Sequence, residues 1–278
     1  MIALFNELSQ QCSKATTEKY STSFSSAIKL LHTDLRTPIF NIYGFVRFAD
    51  EIVDTFHDHN KEILLQEFKK ETYAAIERKI SLNPILNSFQ LTVNEFAIGI
   101  DLIEAFFTSM EMDLNKANYD CDGYAKYIYG SAEVVGLMCL CIFCEGDKVA
   151  FEKLKPSAQS LGAAFQKVNF LRDVKADHEQ LGRTYFPGVD FKNFTGPMKN
   201  EIEKDITNDF AKAYEGILHL PIKARFGVYV AYKYYLSLFK KIKKTKPANI
   251  LEQRIRIPNY GKAFILAKAG LRSQLNLL

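Results

Sequence analysis

Asn169, Asp173 and Asp177 follow one another at four-residue spacing in the stretch 166–187. Residues four apart lie on the same face of a helix, so this spacing predicts a column of one amide and two carboxylates. The residues between them are largely apolar, which predicts that the edges of the column are buried. Carboxylates are costly to bury without partners, whereas carboxylates that hold a hard cation such as Mg²⁺ are not. The column is therefore a candidate site for a divalent cation.

A second acidic stretch lies in the first half of the chain, at 43–54. Tyr43 and Arg47 are four residues apart, and so are Asp50 and Asp54, again with apolar residues between them. Two acidic helices that face one cavity would let magnesium ions bridge their carboxylates to the phosphate groups of a substrate.

Fixed positive charge accompanies both stretches. Arg47 lies within the first stretch, and Arg172 and Arg183 lie within the second. Guanidinium groups match phosphate oxygens in geometry, so the predicted ligand is an anion such as diphosphate. Each acidic pair alone is equally consistent with a solvated helix face, and Arg183 with a structural ion pair. The two pairs together favour the cation and diphosphate site.

The two stretches resemble the aspartate-rich motifs of the phytoene/squalene synthase family, the head-to-head prenyl synthases. The sequence F-V-R-F-A-D-E-I-V-D (45–54) is similar to the first motif and V-N-F-L-R-D-V-K-A-D (168–177) to the second. The family's first motif usually begins Asp-Asp, and Glu51 keeps the charge here without an implied ligand role. Further similar segments are Ser23-Phe24, Met110-Glu-Met-Asp-Leu114, 129–138 and Arg254-Ile-Arg-Ile-Pro258.

The resemblance implies roles for particular residues. The implied catalytic residues are Asp50, Asp54, Asp173, Asp177 and Tyr43. The implied metal ligands are Asp50, Asp54, Asn169, Asp173 and Asp177. The implied substrate-binding residues are Ser23, Phe24, Arg47, Tyr129, Gln166, Asn169, Arg172, Arg183 and Arg254. A basic surface strip is the alternative for Arg254 and Arg256.

The resemblance is greatest to bacterial phytoene synthases and implies a magnesium-dependent prenyltransferase (15-cis-phytoene synthase type), with Mn²⁺ as the alternative ion. Such an enzyme condenses two geranylgeranyl diphosphates through prephytoene diphosphate to phytoene, with release of diphosphate, in carotenoid biosynthesis. NADPH is not expected, and no G-x-G-x-x-G motif occurs. The alternatives are a dehydrosqualene or squalene synthase that uses farnesyl diphosphate, and a non-catalytic assembly protein of the same fold.

The bulk composition adds few constraints. A net charge of +4 is too small to favour nucleic acid as a partner. The basic run Lys240–Lys246 is interpreted as a solvated helix end, with contact to an anionic membrane as the alternative. Five cysteines without a secretory leader predict a reducing, cytoplasmic location, and lipid substrates predict peripheral contact with the inner face of the membrane. Nothing in the sequence indicates the oligomeric state.

Apolar residues recur at three- and four-residue spacing through most of the chain, which predicts an all-α protein. With no linker in the sequence, we expect a single domain over 1–278, an isoprenoid-synthase-type helical bundle around a central apolar cavity. Thr37-Pro38 and Asn83-Pro84 are predicted to open helices. The predicted helices are roughly 3–18, 21–31, 38–57, 61–80, 84–112, 121–145, 151–182, 198–218, 221–246 and 260–275.

Small residues on these helices allow two interpretations. Gly130, Gly136, Gly162 and Ala163 would either leave room for isoprenoid tails or permit close packing of helices. The tyrosines between 229 and 235 form a dense aromatic stretch, of which at most one or two side chains are expected to face the cavity.

Overall fold

Helices make up all the regular secondary structure that the computed structural model describes, in residues 1–115, 119–180, 185–189, 193–252 and 254–274. This confirms the all-α prediction. The helices are α1 (Ile2–Tyr20), α2 (Thr22–Ile28), α3 (Thr33–Asp54), α4 (Lys61–Arg78), α5 (Pro84–Glu95), α6 (Ile100–Asn115), α7 (Cys121–Ile128), α8 (Val134–Cys144), α9 (Lys148–Gln180), α10 (Gly196–His219), α11 (Ile222–Lys244), α12 (Pro247–Glu252) and α13 (Asn259–Gln274).

Capping residues explain where several helices begin. The Asn83 side chain accepts hydrogen bonds from the backbone N–H groups of Ile85 and Leu86, and Pro84 is the first residue of α5. Ser21 caps α2 in the same way by accepting from the Phe24 N–H at 3.2 Å. A cap satisfies N–H groups that have no partner within the helix, and proline at the first position has no N–H to satisfy. The prediction of a helix start at Asn83-Pro84 is confirmed.

Two helix predictions are wrong, and a third predicted helix is confirmed in its bounds but contains an irregular turn. Helix α3 begins at Thr33, so Pro38 lies inside it, in its second turn rather than at its start. The predicted helix 84–112 is divided into α5 and α6 by a turn in which Ala97 has a φ of 50°. A left-handed backbone is unusual for alanine, so Ala97 gave no indication of a helix break, and Gly99 alone indicated one weakly. The predicted helix 121–145 contains a π-helical turn, Tyr129–Glu133, between α7 and α8.

One face of α3 is fixed by a cluster of phenylalanines. Phe45 is fully buried and stacks on Phe89 with ring centroids 3.8 Å apart. Phe68, Phe106 and Phe107 contact Phe45 at 5.3–5.7 Å. Close-packed rings of this kind resist small displacements. The opposite face of α3 is thereby held in register toward α9.

Two of the small residues allow close helix packing. A Cβ atom at Gly162 of α9 would lie 2.5 Å from the Ala132 carbonyl oxygen, and one at Gly130 would lie against the Ala105 carbonyl oxygen. Both positions therefore need glycine because neighbouring backbones approach closely. Gly136 and Gly162 also line the central cavity described below, whereas Gly130 and Ala163 do not.

In the described part of the chain, one helical segment is long and apolar enough to cross a membrane by composition alone. It runs from Cys121 to Cys144, and half of its most apolar 18-residue stretch is buried inside the fold. The core helix of a globular protein passes the same test, so this segment is read as a core element.

The packing at Gly130 gives a first prediction. Gly130→Ala should lower the free energy of unfolding by about 1–3 kcal/mol, because the added methyl group must displace a backbone carbonyl. Gly270→Ala is the matched control: it is also helical, and no atom lies within 4 Å of its Cβ position. There we expect stability to stay equal or rise by up to about 1 kcal/mol. Urea unfolding followed by circular dichroism measures both, and equal effects would contradict the packing assignment.

Candidate active site

A cavity of about 550 Å³ lies at the centre of the bundle, lined by α2, α3, α8, α9 and α11 with contributions from α6 and α10. One end carries the charged residues, and the remainder is mostly apolar. Among the described residues that line it, the charged ones are Arg47, Asp50, Asp54, Asp113, Arg172, Asp173 and Arg254. The two acidic stretches, more than 100 residues apart in sequence, therefore meet at one site.

Helix α3 brings Arg47, Asp50 and Asp54 to the cavity on successive turns. Burial, with the neighbouring charge of Asp54, raises the pKa of Asp50 from 3.8 to about 8 despite the opposing effect of Arg47. The positive charge near this carboxyl group is too small to stabilise its ionised form. A cation placed beside Asp50 would therefore be strongly stabilised.

Arg47 is positioned by two neighbours. Its guanidinium forms an ion pair with Glu51 and lies 4.3 Å from the centre of the Tyr20 ring. Its Nε atom is buried and has no partner among the described residues. An unsatisfied buried donor is costly and would be satisfied by an anionic ligand. Glu51 thus serves as the partner of Arg47, consistent with its having no implied ligand role.

Helix α9 presents Gln166, Asn169 and Asp173 to the same cavity. Asp173 accepts hydrogen bonds from Arg172 at 2.5–3.1 Å and from Arg254 at 2.7 Å. Burial alone would lower the pKa of Arg172, but the bonds to Asp173 outweigh burial and raise it. Asp173 is therefore neutralised by two guanidinium groups in the absence of a ligand.

Aromatic rings form the wall next to the charged end. Phe165 and Tyr235 stack with centroids 3.9 Å apart, and Phe24 lies 5.7–6.1 Å from both. Tyr43 lies 5.8 Å from Phe24, and burial raises its pKa to about 12. The Tyr43 hydroxyl is therefore protonated at neutral pH. Tyr235 donates to the Asn169 amide oxygen at 3.3 Å.

Asp113 of α6 was not singled out from the sequence as a site residue. It is buried, and its carboxylate accepts hydrogen bonds from Tyr127 at 2.8 Å and from Tyr119 and Tyr185 at 3.4 Å. Its charge adds to the raised pKa of Asp50. Asp113 could have been identified from the sequence, because it lies in Met110–Leu114, one of the segments similar to the family.

Some predicted site residues lie elsewhere. Ser23 and Tyr129 do not line the cavity. Ser23 lies about a quarter-turn from Phe24 on α2, and Tyr129 lies two residues from both Tyr127 and Ser131, which face the cavity. Their substrate-binding roles stay predictions without support from the geometry. The side chain of Asp177 and the whole of Arg183 lie outside the described residues.

The described side chains include no group of three His, Cys, Asp or Glu residues that could hold a metal ion by themselves. Asp50 and Asp54 on α3, and Asn169 and Asp173 on α9, are pairs of oxygen ligands rather than complete cages. Magnesium commonly binds in this way, through one or two carboxylates together with water and substrate phosphates. The residues fit a cation that arrives with a phosphorylated substrate.

Comparisons with known proteins show the family and the fold of the chain. The family model described as squalene/phytoene synthase matches residues 17–261. The 4,4'-diapophytoene synthase of Staphylococcus haemolyticus is 27% identical over 202 residues, covering 70% of this chain and 68% of that one. The phytoene synthase of Arthrospira platensis is 26% identical over 297 residues, covering 96% and 94%. The crystal structure of a dehydrosqualene synthase in complex with ligand superposes with a TM-score of 0.81 at 20% identity, covering 98% of each chain, which confirms the fold.

The environment of Asp50 predicts how stability depends on pH. Because its folded-state pKa is raised to about 8, the folded protein retains a proton that the unfolded chain loses above its ordinary value of 3.8. Stability without divalent cations should therefore fall as pH rises from about 4 to about 8. Asp50→Asn removes this loss, so we expect it to be more stable than the wild type at pH 8 by roughly 1–3 kcal/mol, allowing for screening by water in the cavity.

Chemical denaturation in EDTA at pH 4 and pH 8 measures the effect. Glu77→Gln, an exposed acid on α4, is the matched control and should follow the wild-type profile. Parallel profiles for wild type and Asp50→Asn would contradict the assigned environment.

Proposed function

The chain belongs to the squalene/phytoene synthase family of prenyl synthases, and from this membership we propose that it is a magnesium-dependent prenyltransferase of the phytoene type. It would condense two geranylgeranyl diphosphates to phytoene, with residues 1–278 acting as one synthase domain. The observation that carries the proposal is the gathering of acidic and arginine side chains at one end of an apolar cavity. The charged end suits a diphosphate with its cations, and the apolar part suits an isoprenoid tail.

Asp50 and Asp54 would hold one magnesium–diphosphate group, and Asn169 and Asp173 the other, with Asp177 completing the second set. Bound magnesium would supply positive charge to the diphosphate as its bond to carbon breaks. The raised pKa of Asp50 supports this assignment, because a carboxyl surrounded by other acids needs a cation to remain ionised.

Arg47, Arg172 and Arg254 would bind the diphosphate oxygens. Arg47 already has a buried Nε without a partner in the described structure. Arg172 and Arg254 are paired with Asp173. Once the Asp173 oxygens bind a cation, these two guanidinium groups would be available for the departing diphosphate. Preorganised donors aimed at a leaving group stabilise the charge that develops in the transition state.

In the first step the C–O bond of one substrate breaks, and diphosphate leaves with the bonding electrons. The double bond of the second substrate attacks the allylic cation, and loss of a proton closes the cyclopropane ring of prephytoene diphosphate. In the second step the remaining diphosphate leaves, the ring rearranges and a further proton is lost to give phytoene. The rings of Tyr43, Phe24 and Tyr235 would stabilise the cations through their faces and exclude water.

The tails would extend along α9. Its cavity-lining residues run from Asp173 to Leu154, a distance of about 28 Å at 1.5 Å per residue. The second candidate function is condensation of two farnesyl diphosphates to a C30 product. It is favoured by the similarity to the diapophytoene synthase, which is 27% identical over 70% of this chain, against 26% over 96% for the Arthrospira phytoene synthase.

Product analysis tests the proposal. The purified protein is incubated with magnesium and either geranylgeranyl or farnesyl diphosphate, with and without NADPH, and hydrocarbon products are identified by mass. We expect a C40 hydrocarbon without NADPH. A C30 product alone would keep the reaction class and overturn the substrate, with a requirement for NADPH separating squalene from dehydrosqualene. No product from either donor would favour a non-catalytic assembly protein.

The acidic ligands give a second test. Asp54→Asn and Asp173→Asn should each lower kcat by at least about 100-fold, because each removes charge stabilisation at the leaving diphosphate. Helical content should change little in both variants, whereas Asp173→Asn should also lower the melting temperature because the partly buried Arg172 loses its partner. Asp58→Asn, an exposed acid one turn beyond Asp54 in sequence, is the matched control and should retain full turnover. Full activity in either site variant would show that the cation assignment is wrong.

A further inference from the structure

The C-terminal fifth of the chain differs sharply in charge from the rest. Residues 222–274 contain 13 Lys and Arg residues and one acidic residue, Glu252, whereas the remaining residues contain 23 basic and 31 acidic residues. Helices α11 and α13, which pack against each other, contain no acidic residue. A net charge of +4 for the whole chain conceals this separation.

Helix α13 also exposes large apolar side chains on one face. Tyr260, Phe264 and Leu271 are 81%, 70% and 61% exposed. Together with the exposed Ala267 they follow the spacing i, i+4, i+7, i+11, which places them on one stripe of the helix. Ala269, on the opposite side, is buried, so the stripe points away from the protein.

Four cations lie on α13 and on α11, the helix that packs against it. Lys268 and Arg272 lie on α13, and Lys233 and Lys240 lie two turns apart on α11. The four groups are close enough that, in addition to burial, the charges of Arg272, Lys240 and Lys268 lower the pKa of Lys233. Like charges that are crowded on a surface favour an anionic partner. We call Tyr260, Phe264, Leu271, Lys233, Lys240, Lys268 and Arg272 the α13 face.

We propose that the α13 face docks onto an anionic lipid bilayer, with its apolar stripe inserted among the acyl chains and its cations against the headgroups. An exposed apolar stripe bordered by Lys and Arg is the arrangement by which amphipathic helices bind the membrane interface. Each basic residue near an anionic surface adds to the attraction, and the apolar side chains add insertion.

Two other occupants fit the face less well. A second copy of the chain related by twofold symmetry would place the same cations against each other, because both subunits use the same patch. Nucleic acid would satisfy the cations but leave three large apolar side chains without a matching surface. A bilayer with anionic headgroups satisfies both components.

The location of the α13 face suits the proposed function. Only this relation between the face and the cavity rests on the proposed function. On its other side, α11 lines the central cavity through Gly227, Val228, Ala231 and Tyr235. Lys262 of α13 also donates to the Thr22 hydroxyl at 2.8 Å, next to the cavity-lining Ser21. The apolar cavity is therefore one helix away from the proposed bilayer, where prenyl diphosphates and their hydrocarbon product reside.

Sedimentation of the full chain with vesicles tests docking without any turnover. The probes are phosphatidylcholine vesicles with and without roughly 30% phosphatidylglycerol, a content chosen to give an anionic surface. We expect binding to the anionic vesicles only. Phe264→Ser/Leu271→Ser and Lys240→Glu/Lys268→Glu should each lower the partition coefficient by at least about tenfold.

Matched controls separate the face from general effects. Leu82→Ser removes an 89% exposed leucine from the loop between α4 and α5, and Lys70→Glu/Lys148→Glu changes the net charge equally on α4 and α9. Both should bind as the wild type does. Absence of wild-type binding, or equal losses of binding in the controls, would overturn the proposal. It would also be overturned by a concentration-dependent dimer that Phe264→Ser/Leu271→Ser abolishes, or by binding to a DNA duplex that is tighter than binding to the anionic vesicles.

Turnover of detergent-solubilised substrate is measured in parallel for all variants and should be unchanged, because none of these residues lines the cavity. Vesicle binding without prenyl transfer would uphold the docking face and reject the proposed function. Prenyl transfer without vesicle binding would do the reverse.

Discussion

Carboxylates from α3, α6 and α9 share one partly buried cavity. Placing them there is electrostatically unfavourable, and the surrounding residues offset this to different degrees. The partners that stabilise each carboxylate are different. Asp173 is neutralised by Arg172 and Arg254, whereas Asp113 accepts hydrogen bonds from the hydroxyl groups of three tyrosines. Asp50 keeps a pKa of about 8 because Arg47 only partly offsets burial and the neighbouring acids. Buried like charges destabilise the folded chain unless a cation joins them. The site therefore gains most from a ligand that brings positive charge and an anion together, as a metal diphosphate does.

The acids can be held close together only because the backs of their helices are tightly packed. Phe45 lies on the opposite side of α3 from Asp50 and Asp54 and is stacked within a cluster of five phenylalanines. On α9 the fully buried Val168 and Leu171 alternate with the cavity-lining Asn169 and Asp173. Cores of this density resist the small shifts by which repelling carboxylates would separate. Apolar packing thus maintains the charge arrangement that binding and leaving-group departure require.

Helical periodicity was enough to predict the fold class and which side chains of each acidic stretch share a face. The convergence of the two stretches was predicted from their common cation and diphosphate chemistry and from the family resemblance. Helical periodicity could not supply tertiary details. Ala97 adopts a left-handed conformation that is rare for alanine and is not predictable from the residue type, so the break between α5 and α6 was missed. Tyr129 was chosen from a family-like segment, yet Tyr127 faces the cavity next to the π-helical turn. Asp113 joins the site only because α6 packs beside α3 and α7, a contact between distant segments that no local pattern reports.

Binding of an unreactive prenyl diphosphate with and without magnesium shows whether the buried acids of the cavity hold a cation together with the diphosphate. Titration calorimetry with a thio-linked geranylgeranyl diphosphate, in two buffers of different ionisation enthalpy near pH 7, reports affinity and proton release together. We expect magnesium to raise the affinity for the diphosphate at least about tenfold, and binding to release protons as Asp50 ionises. Equal affinity in EDTA, with no proton release, would contradict the claim that the buried acids of α3 and α9 hold a cation with the diphosphate.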